Sequence, residues 1–372
     1  MKILMLIDRM ENGGAETHVE ALAQALRDGG DRVEVFSAGG RIADRLAEDG
    51  INQRTISFIG RSPWRFLLAR RVLKKLICTE GYDILHAHTR TMALLLRGLS
   101  GKGRNRGSVL SIHAAFFRSP WLSRLAFRSE KTIAVSEDLR KRAIDVFKIP
   151  AESIEVIPNG VDCSGFYPPK ELAERQTILF ASRLDEDCSL VAELLCEVTP
   201  RLIEDFSCLK ISVAGGGRAM GRIEKLARRA NEQCRARVGR DVIKLLGRVD
   251  DMASVYRKHR IFVGASRAAM EAAVCGCAVV LCGNEGRGGI LSLERLLSDV
   301  DNLCSRGECL PDAAWLEGRL RFLLTNERIA DVHADLCRAW VQKHRNVGEI
   351  ARLTREVYGT LCDEKEGGRE EI

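Results

Sequence analysis

The chain has 372 residues, 45% hydrophobic and 29% charged, which excludes a disordered, collagen-like or low-complexity chain and at about 100–200 residues per domain favours two domains. Its 58 Lys+Arg against 51 Asp+Glu leave a net charge of +7, too mild for a dedicated nucleic-acid binder. Residues 61–131 depart from that average, with 15 Lys/Arg and 3 Asp/Glu, a local +12.

Short apolar runs alternate with helical periodicity from the first residue. Lys2–Ile7 reads as a strand, followed by a glycine loop and an amphipathic helix over Ala15–Arg27. Strand Arg32–Ser37 and a helix around Ile42–Glu48 come next, then strand Ile84–His88, helix Thr91–Gly98 and strand Ser108–His113. Strand Thr132–Val135, helix Glu137–Phe147 and strand Ile154–Ile157 close the first half. Pro158-Asn159-Gly160 and Gly165-Phe166-Tyr167-Pro168-Pro169 interrupt the pattern as a linker would. It restarts with strand Thr177–Ala181, helix Leu190–Ile203, strand Leu209–Ala214, a triple glycine and helix Gly221–Arg235. Strands Ile243–Leu246, Ile261–Val263 and Ala278–Leu281 follow, separated by helices Met252–Lys258 and Ala268–Val274. From about Trp315 the pattern is helical, ending in a polar tail from Asp363. Alternating strands and helices predict βαβ units and parallel sheets, hence two doubly wound α/β domains. Such sheets bind ligands beyond the carboxyl ends of their strands, so the cleft between the domains is the expected site.

The apolar run from Ile3 to Ile7 stops at Asp8, too short for a signal-peptide core. Arg267 and Glu271 interrupt the best longer stretch, Ile261 to Cys282, which no bilayer span would tolerate. Thirteen cysteines without a Cys-x-x-Cys pair read as small buried hydrophobes in a reducing cytosol, so no metal site is expected. A cytoplasmic chain, able to touch the inner face of a membrane, is the expectation. The surface for that contact would lie within 61–131. There, Trp64, Leu67, Leu68 and Leu76 share a side of a helix that also carries Arg65, Arg70, Arg71, Lys74 and Lys75, as in basic helices lying on anionic lipid. The stretch Phe117-Arg118-Ser119-Pro120-Trp121-Leu122 and the loop Lys102–Arg106 add to the same patch.

Chemistry-bearing residues collect at predicted strand ends. Gly13 and Gly14 precede the first helix, where backbone N–H groups and the helix N-terminus favour an anion. His86, His88 and His113 end their strands, and His18 lies one turn into the first helix. His-x-His also has metal-ligand geometry, but with no third ligand evident hydrogen-bonding roles are preferred. In the second half, Arg183 follows a strand end, where a guanidinium can bind phosphate bidentately. Gly215-Gly216-Gly217 forms a second glycine loop. Ser266 is placed to cap the helix that carries Arg267 and Glu271, and Glu271 could accept two ribose hydroxyls.

The blocks GGAETH (13–18), DILHAHTR (83–90), IAVSEDLRKR (133–142), VIPNGVD (156–162), SRLD (182–185), AGGG (214–217), LGRVDD (246–251) and SRAAMEAAVCG (266–276) occur in that order. Together they resemble the retaining GT-B-fold glycosyltransferases of family 4 (glycosyl transferases group 1), from Met1 to about Leu361. The resemblance implies an acceptor domain, 1–165, with 346–372 crossing back to it through a helix at Val347–Leu361, and a nucleotide-sugar domain, 166–345. It implies catalytic or leaving-group roles for His113, Arg183 and Glu271. Donor contacts would come from Gly14, Arg183, Gly216, Ser266, Arg267 and Glu271, and the acceptor side from Gly13, His18 and His88. No metal or cofactor is implied: a nucleoside-diphosphate sugar is the donor, a glycan or lipid-linked hydroxyl the acceptor, and cationic side chains meet the departing diphosphate.

The expected reaction is retaining transfer of a hexose or N-acetylhexosamine in building a cell-surface polysaccharide or glycolipid. A GT-B-fold nucleotide-sugar epimerase, or a degenerate partner subunit of another transferase, is the alternative. Two departures from the family pattern stand out. Cys188 and Ser189 occupy the places of a lysine and a glycine that usually follow Arg183, and the first of two glutamates eight apart is replaced by Val263. Arg267 and the stretch Gly283-Asn284-Glu285-Gly286-Arg287-Gly288-Gly289 are the candidate substitutes.

Overall fold

In the computed structural model of the chain, the described residues are all but 12, 57–61, 100–105, 115–128, 171–175, 308 and 368–372, with 364–367 described by backbone alone. The chain divides into two compact units, Met1–Gly160 joined by the segment that starts at Val347, and Val161–Asn346.

In the first unit, seven described strands form one parallel sheet in the order β3-β2-β1-β4-β5-β6-β7: β1 (Lys2–Leu6), β2 (Arg32–Ser37), β3 (Asn52–Thr55), β4 (Ile84–Ala87), β5 (Gly107–Ile112), β6 (Lys131–Ala134) and β7 (Ile154–Val156). Helices cover both faces, so β1 is apolar from Ile3 to Leu6, while the other inner strands carry buried polar residues such as Glu34, His86, Ser108 and Ser111 among their apolar ones. Successive side chains still point to opposite faces. Ile3 and Met5 pack with α1 (Gly14–Asp28), while Leu4 and Leu6 pack with α3 (Pro63–Glu80) and α4 (Arg90–Leu96). The remaining helices described here are α2 (Arg41–Glu48), α5 (Glu137–Asp145) and α13 (Val347–Gly367). Ile350, Tyr358 and Leu361 of α13 are buried on the same face as Ile3 and Met5, which makes the C-terminal helix part of the first unit's core. Each fully buried side chain of this size contributes roughly 1.5–3 kcal/mol.

The second unit repeats the design. Its sheet runs β10-β9-β8-β11-β12-β13, from β8 (Thr177–Ala181), β9 (Lys210–Ala214), β10 (Ile243–Gly247), β11 (Ile261–Gly264), β12 (Ala278–Gly283) and β13 (Gly286–Ile290). Only β13 is antiparallel among the described pairings. Ile178 and Phe180 face α6 (Leu190–Leu202), α7 (Met220–Val238) and α11 (Ala313–Thr325). Leu179 faces α9 (Ser266–Val274) and α12 (Glu327–His344). Two short helices, α8 (Met252–Tyr256) and α10 (Leu293–Leu297), complete the described elements.

Several sequence expectations are corrected. β3 was not anticipated: Asn52-Gln53-Arg54-Thr55 has no apolar alternation because it is an edge strand, its Arg54 paired with Glu34 and Glu80. Gly286–Ile290, within the glycine-rich stretch, is the edge strand β13. Gly286 has φ +155°, and an added Cβ would stand 2.1 Å from the carbonyl oxygen of Ser305, so its glycine answers a close backbone approach. On α3, Leu76 turns toward the core, and Ala69, Leu73 and Ile77 form the buried side. The exposed side therefore combines Trp64, Leu67, Leu68 and Val72 with Arg71, Lys74 and Lys75. Arg70 does not belong to that surface: its guanidinium donates to the carbonyls of Leu94, Leu95 and Arg97 and closes the C-terminal end of α4. The segments 102–105 and 117–122 lie outside the described residues. No described helix is long and apolar enough to cross a membrane.

Candidate functional site

In the first unit the carboxyl ends of β1, β4 and β5 gather the predicted histidines. His18, on α1, has its ring centroid 4.9 Å from that of His113, just past β5, and 6.0 Å from that of His88, just past β4. His88 Nδ1 and His113 Nε2 are 3.2 Å apart, within hydrogen-bond reach. His86 and His88 share a strand face, as the two-residue period requires, with centroids 4.0 Å apart. His86 nonetheless belongs to the core. Its Nδ1 meets the Tyr358 hydroxyl at 2.6 Å and its Nε2 the Ser111 hydroxyl at 2.8 Å, so one ring nitrogen donates and the other accepts, as a neutral imidazole does.

Burial disfavours the cationic form of all three strand-end histidines. It pulls His86 down to about 3 and His113 to about 4, and holds His88 well below the ordinary value. Among the described residues His88 Nε2 and His113 Nδ1 are buried without a partner, which marks the pair as able to take up a further polar group. One ligand nitrogen each from His18, His88 and His113 lies within 4.8 Å of the others, so the three could share an ion.

Gly13 caps α1 in an extended conformation and Gly14 starts the helix. Glu16 folds back over Gly13, leaving 2.2 Å between its Oε2 and an added Cβ, whereas a Cβ on Gly14 would meet nothing within 4 Å among the described residues beyond its own helix and chain neighbours. Two residues in this region went unremarked in the sequence. Asp8, whose carboxyl is raised by burial, accepts from the Thr89 hydroxyl at 2.9 Å. Tyr358 reaches His86 from α13, 272 positions away, a pairing no local pattern announces.

In the second unit the predicted residues stand at the carboxyl ends of adjacent parallel strands. Arg183 follows β8. It is 58% exposed and lies between Asp185 at 4.0 Å, Asp187 at 3.7 Å and the Cys188 sulfur at 3.6 Å. The triple glycine after β9 lets that loop lie on the Ser182–Leu184 backbone. Gly215 has φ +137° with an added Cβ 1.9 Å from the Ser182 carbonyl oxygen, and the Gly216 carbonyl accepts from Leu184 N–H at 3.2 Å. Arg248, after β10, packs its stem on Gly216. That cation escaped the sequence reading although it stands inside the LGRVDD block.

After β11, Ser266 is not the cap. Ala265 holds that position, and Ser266 has φ +57° with its N–H donated to the Leu303 carbonyl at 2.6 Å. The helix has no side-chain cap hydrogen bond. Arg267 Nε donates to Glu271 Oε1 at 2.8 Å, one helical turn on, and the Tyr256 hydroxyl donates to Glu271 Oε2 at 3.3 Å. The structure thus unites Arg267 with Glu271, and lays the Gly215–Gly217 loop on the backbone that flanks Arg183.

Residues 12–164 match the model of Glycosyltransferase Family 4 and residues 175–298 that of Glycosyl transferases group 1. The chain belongs to this family of glycosyltransferases. It is 29% identical over 225 residues to the phosphatidyl-myo-inositol mannosyltransferase of Mycolicibacterium smegmatis, covering 55% of this chain and 56% of that protein. The chain therefore spans little more than half the length of that relative. The fold matches Anabaena Alr3699/HepE, solved in complex with UDP, with a TM-score of 0.75 at 18% identity over 97% of this chain and 100% of that one. A glycosyltransferase from Rickettsia africae ESF-5 matches with a TM-score of 0.74 at 18% identity, over 97% and 98%. Both are two-domain GT-B architectures, and this chain has that fold.

Proposed function

We propose that this glycosyltransferase moves a sugar from a nucleoside diphosphate to a hydroxyl of a glycan or lipid-linked acceptor, with retention of anomeric configuration, in building a cell-surface glycan. The observation that carries the reading is the second unit's array at neighbouring strand ends: exposed Arg183, the Gly216 loop and the Arg267–Glu271 turn. Cations there meet the charge that grows on a departing diphosphate, without need of a bound metal ion. In the first unit, Gly14 is open to an anion, and the neutral pair His88–His113 suits sugar or acceptor hydroxyls, with His113 beside the transferred sugar and His18 and Gly13 on the acceptor side. Support comes also from the UDP bound to Alr3699/HepE and from the lipid acceptor in the name of the mycolicibacterial relative.

The reading includes a cytoplasmic enzyme resting on the inner face of a membrane through α3. Trp64 is 76% exposed there, with Leu67 and Leu68 beside it and Arg71, Lys74 and Lys75 along the next turns. Apolar side chains that enter the headgroup boundary and cations that meet anionic lipid suit that surface.

A panel of nucleotide sugars, offered with lipid and soluble acceptors, tests the function. A transferase yields glycosylated product, or free sugar where water substitutes for the acceptor. Proton coupling at the anomeric carbon of the product reads retention, and turnover after dialysis against EDTA reads the metal requirement. An altered sugar still attached to nucleotide would mark an epimerase, and no reaction with any donor a partner subunit.

A further inference from the structure

The resemblance leaves the diphosphate short of one cation, because Cys188 stands where a lysine is usual. Cys188 cannot replace it: burial pushes the thiol up, so it stays neutral beside Arg183. The carboxylate expected at the ribose is also bonded within the chain. Glu271 is 13% exposed, and both its oxygens are already engaged, Oε1 by Arg267 and Oε2 by Tyr256.

Arg267 carries the complementary feature. Its side chain is 12% exposed and its Nη1 is buried with no partner among the described residues. A guanidinium has five donors, and one left unpaired away from water is costly unless something else accepts from it. The position is also held firmly. The backbone turns into α9 through left-handed Ser266, bonded to Leu303 in a loop where Asn302, Leu303 and Ser305 have φ of 57°, 57° and 55°. Such conformations persist where the surroundings over-determine them, and they concentrate at ligand sites. The register Val263↔Phe180 between β11 and β8 brings Ser266 and Arg183 off adjacent strands at the same distance past the pairing.

We propose that Arg267 is the second cation of the donor diphosphate site, and that Glu271 is a positioning residue that aims its guanidinium. The inference rests on the proposed nucleoside-diphosphate donor. Arg183, exposed and loosely paired, adapts to the phosphates, while Arg267 presents a fixed donor from the first turn of α9. Arg267 and Glu271 are four residues apart on α9, and that spacing sets the guanidinium against the carboxylate one helical turn on.

The test uses the full chain and the variants Arg267→Met, Arg267→Lys and Glu271→Gln, with circular dichroism to verify folding. Titration calorimetry measures whichever of UDP, GDP and ADP stabilises the parent, and saturation-transfer NMR measures the corresponding nucleoside. Arg267→Met is expected to weaken the diphosphate roughly ten- to a hundredfold while leaving the nucleoside within about twofold. Glu271→Gln should weaken the diphosphate less, and adding it to Arg267→Met should bring little further loss, as for residues acting through one another. If Arg267→Met does not fold, Arg267→Lys decides, with an expected severalfold weakening confined to the diphosphate, because a point charge replaces the fork. Unchanged diphosphate binding in the deciding variant, or equal loss of diphosphate and nucleoside, overturns the inference and leaves the function standing. A parent that binds none of the three diphosphates overturns the donor reading and this inference with it.

Discussion

His86→Gln isolates the physical state of the histidine cluster. In the folded chain His86 is neutral, held down to about 3 by burial between Tyr358 and Ser111. In the unfolded chain it titrates near the ordinary 6.5. Its folded value is depressed, so between these two values the unfolded state binds more protons, and stability falls as pH falls. At pH 5 the unfolded imidazole's proton uptake corresponds to about 2 kcal/mol, since each pKa unit is worth about 1.4 kcal/mol. The variant loses hydrogen bonds to Tyr358 and Ser111, costing about 1–3 kcal/mol at pH 8, but it carries no titrating group there. Urea unfolding followed by circular dichroism at pH 8 and pH 5 should therefore show the parent's advantage shrinking by about 2 kcal/mol at the lower pH. Asp8, raised by burial, titrates in both proteins and cancels from the difference. Parallel losses in parent and variant would mean that His86 charges inside the fold, and the neutral assignment for the cluster would be wrong.

Arg183→Ala should lower turnover more than ground-state binding, because its partner is charge that develops on the leaving group; the expected loss in kcat is roughly ten- to a hundredfold, and equal effects on kcat and donor affinity would count against that role. Gly14→Ala adds a methyl that meets no described atom beyond its own helix and chain neighbours within 4 Å, so thermal stability should hold while donor or acceptor KM rises severalfold; unchanged kinetics would remove Gly14 from the site. Glutamine at Arg71, Lys74 and Lys75 should reduce sedimentation with anionic vesicles, and the parent's binding should weaken as salt is raised; sedimentation equal to the parent's would make these residues an ordinary solvated face.

The fold was legible because a parallel sheet covered on both faces writes itself as apolar runs, such as Ile3–Ile7 and Ile178–Phe180, separated by helical periodicity. What escaped were the edges. β3 is polar and β13 glycine-rich, each bonded on one side of its sheet and lacking the burial that produces a pattern. At the site, residue types and strand-end positions could be read, but side-chain pairings could not. Arg267 with Glu271 is a four-residue spacing that sequence permits without requiring. Ser266 looked like a cap until the backbone proved left-handed. Arg70 looked like part of a basic surface, yet it closes the end of α4. Tyr358 and His86 meet only because α13 packs on the first unit's sheet.

The central claim is that the strand ends of the second unit hold a nucleoside diphosphate. Thermal unfolding of the purified chain with UDP, GDP and ADP, each beside its nucleoside, tests it most directly, because a ligand of the native state raises the melting temperature as its concentration exceeds Kd. One of the three diphosphates should raise Tm in a concentration-dependent way, well beyond its nucleoside, and Arg183→Ala should remove most of that rise. No shift with any diphosphate, or a shift that Arg183→Ala leaves intact, would contradict the account.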